Sequence, residues 1–365
     1  MLKQQKIFFE FLRFCIGSAK EIPDSLKEVD WKELYAIAQK QALLGVLFHG
    51  IQRLPKELAP EQKLLMQWMV MAEMIRKQNI KLFQDSVKVC LNFENEGFAN
   101  CILKGQGNAL LYPDPYMRTP GDIDIYLSGG RRKIMKYVDQ VCPNQVMRYH
   151  HVDFPVMKTA IEVHFTPSYM FCPIHNRRMQ KWFEEVMDLQ CSNVVSLPDG
   201  YGEITVPTTS FNVIYILSHL YRHVFTEGIG LRQLIDYYFV LVKSEERRVK
   251  NLTALQRELK YLGLWKFAKA VMYVLHEILG LPEEKMIAPI DVDEGRFLLA
   301  EIMQGGNFGQ YDTRLGSKEN EGKLHRYLRM NLRNLRFVKH YPTEALSEPL
   351  FRTWFALWKK IHGIR

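Results

Sequence analysis

The feature that most restricts the fold is a group of short β-type runs placed between two long regions of helical periodicity. Four such runs lie between residues 98 and 167: "FANCILKG", "DIDIYL", "QVMRYHHVDF" and "AIEVHF". Runs rich in β-branched and aromatic residues and bounded by turn residues are typical of strands. One helical pattern, "GRRKIMKYVDQVC", interrupts them, and residues 106–112 are predicted to form a further short helix. We therefore expect an α/β unit with few strands.

On both sides of this unit, apolar residues recur at spacings of three and four, which is the period of a helix that buries one face. The pattern is clear in "WKELYAIAQKQALLGVLFHGI" before the unit and in "LTALQRELKYLGLWKFAKAVMYVLHEILG" after it. The predicted fold class is therefore α+β, in which a small sheet is flanked by largely helical N- and C-terminal regions. We place the helical N-terminal region at residues 1–97, the α/β core at 98–206 and the helical C-terminal region at 207–365.

Composition restricts the setting of the chain. The apolar N-terminal run contains Glu10 and Arg13, which favours an amphipathic helix over a signal peptide, and no window reaches the roughly 18 apolar residues of a membrane span. The six cysteines form no CxxC pair, so we expect a reducing, cytoplasmic location without a disulfide framework. A formal net charge of +9 favours acidic partners such as nucleotides, phosphates or nucleic acid.

The segment "GDIDIYL" combines two carboxylates with the alternation of a strand. Residues i and i+2 of a strand face the same side, so Asp122 and Asp124 would project together while Ile123 and Ile125 point into the core. Two carboxylates this close repel one another unless a cation lies between them, and Mg²⁺ or Mn²⁺ is the expected cation. The alternative is a pair of turn-capping aspartates, which does not explain the apolar residues between them.

A third acid and a glycine-containing turn extend the pattern. Glu162 would share one face of its strand with His164, and three acids converge if that strand lies beside "DIDIYL". Glu162 could instead be an exposed residue of an edge strand, and for His164 we favour a hydrogen bond to the acids over metal ligation. Upstream, "KGQGNALLY" resembles a strand that ends in a flexible turn and opens a helix, whose backbone N–H groups could receive a phosphate.

In this order, a glycine turn, Asp-x-Asp in a strand and a lone acid in a later strand resemble the DNA polymerase beta-like nucleotidyltransferase superfamily. "LKGQGNALLYPDPYMRTPGDIDIYL", "IEVHF" and the helical "LSHLYRH…LRQLIDYYFVL" are more closely similar to one bacterial, largely uncharacterised nucleotidyltransferase family, often grouped with sugar and polysaccharide genes. The similarity extends from about Trp31 to the "YPTEALSEP" segment and is sharpest between Leu103 and Phe165.

The resemblance implies a mixed nucleotidyltransferase sheet, two divalent ions (Mg²⁺ or Mn²⁺) and transfer of a nucleoside monophosphate from an NTP such as ATP. The acceptor would carry a hydroxyl or similar group, and a sugar phosphate, an antibiotic, a protein side chain or the end of an RNA polyanion are the candidates. Asp122 and Asp124 would bind both ions, and Glu162 would hold the ion that activates the acceptor. The turn from Gly105 to Gly107 would contact the triphosphate.

Two departures from the superfamily pattern support a different function. The usual Gly-Ser or Gly-Gly is Gly105-Gln106 here, and the interval from Gly105 to Asp122 is longer than in compact members. The alternative function is a catalytically degenerate nucleotide-binding module or an antitoxin-like interaction module. Lys104 and Arg118 are predicted to balance phosphate charge, and the alternative for both is an ordinary surface charge.

Three further patterns lie in the helical C-terminal region. His219 and His223 have the i, i+4 spacing of a metal pair but lack the glutamate of an HExxH motif, which favours packing or hydrogen bonding. Asp236 matches a recurrent feature of the resembled family and would orient a group in the cleft. A basic helical stripe, a solvated face or a polyanion site, is formed by Arg326, Arg329, Arg333, Arg336 and His340, opposite apolar residues that include Leu328 and Leu335.

Overall fold

The structure is a computed structural model that describes residues 3–244, 249–314, 316 and 322–363. The α-helices are α1 (Lys3–Ile16), α2 (Trp31–Lys40), α3 (Leu44–Ile51), α4 (Gln62–Asn95), α5 (Gln106–Ala109), α6 (Gly130–Val141), α7 (Pro173–Gln190), α8 (Thr209–Thr226), α9 (Leu231–Lys243), α10 (Val249–Tyr261), α11 (Trp265–Tyr273), α12 (Val292–Gly305), α13 (Lys323–Val338) and α14 (Pro342–Ile361). The strands are β1 (Asn100–Ile102), β2 (Ile123–Leu127), β3 (His151–Asp153), β4 (Ile161–His164), β5 (Val194–Ser196) and β6 (Glu203–Thr205). No helix within the described residues is both long and apolar enough to cross a membrane.

The main sheet has four strands in the order β1-β2-β4-β3, and β5 pairs with β6 in a separate hairpin. β2 and β4 are parallel, whereas β1 pairs with β2 and β3 pairs with β4 in the antiparallel sense, so the sheet is mixed. In the parallel pair, Asp124 lies opposite Glu162 and Ile125 opposite Val163. The predicted α+β class is confirmed, and each of the four β-type runs contains one strand of this sheet.

The third β-type run is shorter in the structure than its sequence predicts. Only His151–Asp153 is a strand, because the chain turns back on itself before it. The N–H of Arg148 donates to the carbonyl of His151 at 2.8 Å, and Met147 forms a single antiparallel bridge with Val152. The extended run predicted for residues 145–154 is therefore wrong over its first half.

One face of the sheet is buried against helices, which explains the alternation of its strands. Ile123, Ile125, Val152 and Val163 are fully buried, and they pack in one cluster with side chains of α4 and α6. Burying a large aliphatic side chain contributes about 1.5–3 kcal/mol, so the register of β2 and β4 is fixed by their apolar positions. The polar residues of these strands consequently occupy the opposite face.

The long helix α4 joins two apolar cores. Trp68 and Ile75 in its first half belong to a core that also contains residues of α1, α3, α8, α9 and α11. Phe83 and Phe93 in its second half belong to the core beneath the sheet. Helices from both ends of the chain therefore share one core, while the division at residues 97 and 206 stays a prediction.

The basic residues of α13 lie differently from the predicted stripe. Arg333 is only 8% exposed, and the guanidinium of Arg336 lies 3.3 Å from the carboxylate of Asp312. Leu328 and Leu335, which the sequence places on the opposite face, are more than half exposed. A continuous solvated basic stripe is therefore wrong, because acidic partners outside α13 draw part of it inward.

Candidate active site

The polar face of the sheet brings the three predicted acids to one place. Asp124 in β2 is directly opposite Glu162 in β4, and Asp122 immediately precedes β2. One ligand atom from each of Asp124, Glu162 and His164 lies within 4.8 Å of the others. β4 lies between β2 and β3, which excludes the alternative that Glu162 belongs to an edge strand. The strand pairing therefore produces a carboxylate cluster that the sequence predicted only conditionally.

The electrostatics of Asp122 reflect crowding by its neighbours. The negative charge of Asp124 and burial raise the pKa of Asp122 to about 6, although Lys104 acts in the opposite direction. A carboxylate with a raised pKa gains from any cation placed beside it, because the cation offsets the repulsion that raises the pKa. The oxygen ligands of this cluster are of the kind that Mg²⁺ and Mn²⁺ prefer.

Asp124 is the most strongly held of the acids. It is 2% exposed, and its Oδ1 lies 3.0 Å from both the Lys104 ammonium and Nε2 of His164. Burial raises the pKa of Asp124, but the charge of Lys104 and the hydrogen bond from His164 outweigh burial and hold it well below its usual range. Both contacts are made to Oδ1, so within the described residues Oδ2 is left for another ligand.

His164 links two of the acids, as the predicted hydrogen bond requires. Its Nε2 is 3.0 Å from Asp124 and 3.6 Å from Glu162 Oε2. Burial lowers the pKa of His164, yet the contacts with both carboxylates raise it overall. On the other side of Glu162, Nδ1 of His151 lies 3.3 Å from Oε2, a contact that the sequence did not predict.

Lys104 is directed into the site and is not an ordinary surface charge. Its side chain is 21% exposed, and its ammonium lies between Asp124 and Nε2 of His219, the latter at 3.3 Å. His219 is neutral in this setting, because burial and the nearby Lys104 charge hold its pKa well below the usual range. Lys104 therefore joins the sheet to α8 through the charged part of the site.

The turn after β1 depends on glycine and leaves two backbone N–H groups unpaired within the described residues. Gly105 has φ +59°, a conformation that favours glycine, and a Cβ on Gly107 would lie 2.9 Å from a methyl group of Val206. The N–H of Gly107 donates to the carbonyl of Lys104, whereas the N–H groups of Gly105 and Gln106 have no partner among the described residues. The Gln106 side chain is buried and is not among the residues that line the cavity beside Gly105 and Asp124.

Arg118 is already neutralised within the protein. Its Nε and Nη2 donate to the two carboxylate oxygens of Asp236, each at 2.8 Å, and both residues are almost fully buried. The Tyr112 hydroxyl donates to the same carboxylate at 2.6 Å. The predicted residue Asp236 thus orients Arg118, and the pair fixes the segment before β2 against α9.

Arg232, which the sequence analysis missed, is a second buried cation near the acids. It is 7% exposed, its Nη1 donates to the carbonyl of Thr119 at 2.9 Å, and it stacks over the ring of Phe308. It has no carboxylate partner within the described part of the chain, and its Nε has no hydrogen-bond partner there. Burial, then the charge of Arg118, lowers its pKa to about 10. Only its position in "LRQLIDYYFVL", four residues before Asp236, signals it in the sequence.

A cavity connects these groups between the polar face of the sheet, the turn and helices α8 and α9. Its lining includes Lys104, Gly105, Asp122, Asp124, His219 and Arg232. The two histidines of α8 do not form a metal pair here, because the guanidinium of Arg222 contacts Nδ1 of His219 at 3.3 Å and Nε2 of His223 at 3.0 Å. The cavity therefore combines acids that attract cations with N–H groups and cations that attract phosphate.

Comparison with known proteins agrees with the resemblance that the sequence suggested. The family model described as an uncharacterised nucleotidyltransferase matches residues 27–280, which is more than half of the chain. No curated protein and no solved structure matches the chain. The matched span contains the turn, β2, β4, α8 and α9, and hence every acid and every cation placed in the site above. The chain belongs to this family of uncharacterised nucleotidyltransferases.

Proposed function

We propose that the protein is a metal-dependent nucleotidyltransferase that moves a nucleoside monophosphate from an NTP to a hydroxyl-bearing acceptor. The observation that carries the proposal is the register of Asp124 with Glu162 on neighbouring parallel strands, with Asp122 at the entrance to β2. Family membership supports the class of reaction. The raised pKa of Asp122 and the unoccupied Oδ2 of Asp124 support a cation at this cluster.

Asp122 and Asp124 would hold the divalent ions, and Glu162 would hold the ion on the acceptor side. Bound Mg²⁺ or Mn²⁺ would supply positive charge for the reacting phosphate and lower the pKa of the acceptor hydroxyl. The protein's own part is to fix the three carboxylates. His164 does this by donating to Asp124 and contacting Glu162, so that the acids of two strands keep one relative position.

The triphosphate would lie against the turn and against Arg232. The free N–H groups of Gly105 and Gln106 can donate to phosphate oxygens. Arg232 has a free Nε and no carboxylate partner within the described residues, and a guanidinium matches phosphate geometry well. We assign Arg118 a positioning role through Asp236, because Nε and Nη2 of its guanidinium already donate to that carboxylate.

One observation favours the alternative, a module that binds a nucleotide or a partner protein without turnover. The Lys104 ammonium already balances the charge of Asp124, so the fold does not depend on an ion at that residue. Turnover separates the two functions. Purified protein should release pyrophosphate from at least one of the four NTPs when Mg²⁺ or Mn²⁺ and a mixed acceptor set are present.

The acceptor set should contain sugars, sugar phosphates, RNA ends and proteins, since the cavity does not identify the acceptor. The Asp122→Asn/Asp124→Asn variant serves as the inactive control, and Asp139→Asn, which changes an exposed acid on α6, is the matched active control. NTP binding without pyrophosphate release by the wild-type protein across this set would support the non-catalytic module.

A further inference from the structure

Three histidine rings lie close together next to the acids, and two of them, His150 and His151, have no part in the proposed reaction. His151 in β3 is paired with His164 in β4, and His150 immediately precedes β3. The ring centroids of His150 and His151 are 4.4 Å apart, and each lies 5.1 Å from that of His164. The mixed sheet thus brings together two imidazoles from the start of β3 and one from the end of β4.

Two nitrogens of this cluster are buried without a partner. His164 is 1% exposed and His150 is 3% exposed, yet Nδ1 of each ring has no hydrogen-bond partner among the described residues. Leaving a buried polar atom unpaired costs about 1–3 kcal/mol, so such atoms are uncommon without a ligand, ion or water. The cluster therefore has capacity for a group that accepts nitrogen lone pairs.

The spacing of the ligand atoms suits one ion. One nitrogen from each of His150, His151 and His164 lies within 4.8 Å of the other two, and Nδ1 of His151 is 3.2 Å from Nε2 of His150. Ligands bound to one ion at about 2.1 Å lie about 3–4 Å apart, so small side-chain movements would bring these atoms into coordination.

The hydrogen bond made by His164 also matches a metal ligand. Its Nε2 donates to the buried carboxylate of Asp124 while Nδ1 is unpartnered. Histidines that bind metals generally donate their other ring N–H to a carboxylate, which fixes the ring and increases the basicity of the ligating nitrogen. Asp124 can hold His164 in this way through Oδ1.

We propose that His150, His151 and His164 bind a divalent transition-metal ion of the Co²⁺ or Zn²⁺ class. Imidazole nitrogen favours such ions, whereas Mg²⁺ favours the oxygen ligands of Asp122 and Asp124. The inference deepens the proposed function and rests on it in one respect, since His151 and His164 both contact Glu162, the acid proposed to serve the acceptor. The acceptor side of the site is then selective for a nitrogen-binding metal.

The test is a Co²⁺ titration of the full chain without nucleotide, followed by visible absorption and calorimetry. The wild-type protein should bind Co²⁺ with the stronger, shifted bands of nitrogen ligation. His151→Asn should lower the Co²⁺ affinity by at least about tenfold, since even groups behind metal ligands contribute about 10- to 100-fold. The Mg²⁺ response should change much less than the Co²⁺ affinity in this variant, because the oxygen ligands Asp122 and Asp124 are kept. His362→Asn, which removes an exposed imidazole, is the matched control.

The wild-type spectrum decides the question even where His151→Asn does not fold, and His150→Gln provides a second variant. A Co²⁺ spectrum of oxygen ligands alone, or equal Co²⁺ affinity in wild type and both variants, overturns the inference. Failure of the proposed function is a separate result. Pyrophosphate release with an all-oxygen Co²⁺ spectrum overturns only the histidine site, and nitrogen-ligated Co²⁺ without any turnover overturns only the transferase.

Discussion

The ammonium of Lys104 lies 3.0 Å from Oδ1 of Asp124, so a cation from the glycine turn is paired with the most buried acid of the site. Because Lys104 immediately precedes the turn with free N–H groups, its charge lies between the carboxylates and the place proposed for phosphate. The pair explains how three close acids are tolerated by the fold.

We expect Asp122→Asn to stabilise the metal-free protein. The pKa of Asp122 in the folded protein is about 6, above the ordinary value of 3.8 for an aspartate, so the folded state binds more protons between these values. Stability from this group is present at low pH and is lost as pH rises through that window, by on the order of 1–3 kcal/mol. Thermal unfolding in a chelator should therefore show an advantage of Asp122→Asn that grows from about pH 4 to pH 7. An advantage independent of pH would contradict the crowding of Asp122.

Divalent metal should remove the stability advantage that the aspartate-to-asparagine substitution gives in a chelator. Mg²⁺ or Mn²⁺ is expected to raise the Tm of the wild-type protein, with a further rise when NTP is added, and to have much less effect on Asp122→Asn/Asp124→Asn. Asp139→Asn should respond as the wild type does. An Mn²⁺ response in the double variant equal to that of the wild type would exclude these acids as the metal ligands.

Removing Lys104 tests its ion pair with Asp124. Lys104→Ala leaves a buried carboxylate without its ammonium, so the free energy of unfolding should fall by about 3–5 kcal/mol. Mn²⁺ should recover part of this loss, because an ion can take the place of the ammonium beside Asp124. Urea denaturation with and without Mn²⁺ measures both effects, with Lys136→Ala as an exposed control. Equal stability of the two lysine variants would show that the contact contributes little.

Arg118→Ala should act on stability more than on nucleotide affinity. The substitution breaks a buried, bidentate ion pair with Asp236, for which a cost of about 3–5 kcal/mol is expected. The loss should be smaller in Arg118→Met/Asp236→Leu, where neither charge is left alone. Urea denaturation of the single and double variants provides the comparison. A fully stable Arg118→Ala with weakened NTP binding would return Arg118 to the direct phosphate contact that the sequence predicts.

The local parts of this site could be predicted from the sequence, because they depend on period-2 alternation. Ile123 and Ile125 mark the buried face of β2, which places Asp122 and Asp124 on the other face whatever the partner strand. The position of Glu162 next to Asp124 follows once β2 and β4 are known to pair, because their parallel register aligns these two residues. The shortened β3 was missed because its residues favour strand while the turn at Arg148 prevents extension.

The ion pairs could not be predicted, because they depend on how helices distant in sequence pack on the sheet. Arg118 and Asp236 are more than 100 positions apart in the sequence. No local pattern shows that the Arg118 guanidinium is paired with a carboxylate while that of Arg232 has no carboxylate partner among the described residues. The same limit applies to α13. Its residues have a helical period, but the partner Asp312 decides that Arg336 turns inward. The sequence pattern therefore predicts which residues share a face. Tertiary packing decides which charged side chains remain unpaired and can bind a ligand.

Arg232 provides the sharpest test of that distinction. Arg232→Ala should weaken NTP binding by about 1–3 kcal/mol, the value of a hydrogen bond to a charged group. Arg232→Lys keeps the positive charge but loses the paired N–H donors of the guanidinium. Its NTP affinity should therefore lie between those of the wild type and Arg232→Ala. Calorimetry with a non-hydrolysable NTP measures the effect, and Arg132→Ala, at an exposed position of α6, is the control. Unchanged affinity in Arg232→Ala would leave this buried guanidinium a structural group that holds the carbonyl of Thr119.

The last prediction separates the two ends of the proposed reaction. Glu162 lies on the side of the site that faces β3, away from the turn, and Nδ1 of His151 is 3.3 Å from its carboxylate. Burial raises the pKa of Glu162, but the hydrogen bond from His164 outweighs it and lowers the pKa overall, so the group is ionised at neutral pH.

Glu162→Gln keeps the shape and removes the charge. NTP affinity should therefore change little, whereas kcat should fall by orders of magnitude, because the lost ligand serves the acceptor. Asp124→Asn, by contrast, should reduce both quantities, since that carboxylate is proposed to serve both ions. Steady-state pyrophosphate release and NTP calorimetry on the two variants provide the comparison. Equal loss of NTP affinity in both variants would mean that Glu162 is part of the nucleotide site, and the assignment of the acceptor to the β3 side would be wrong.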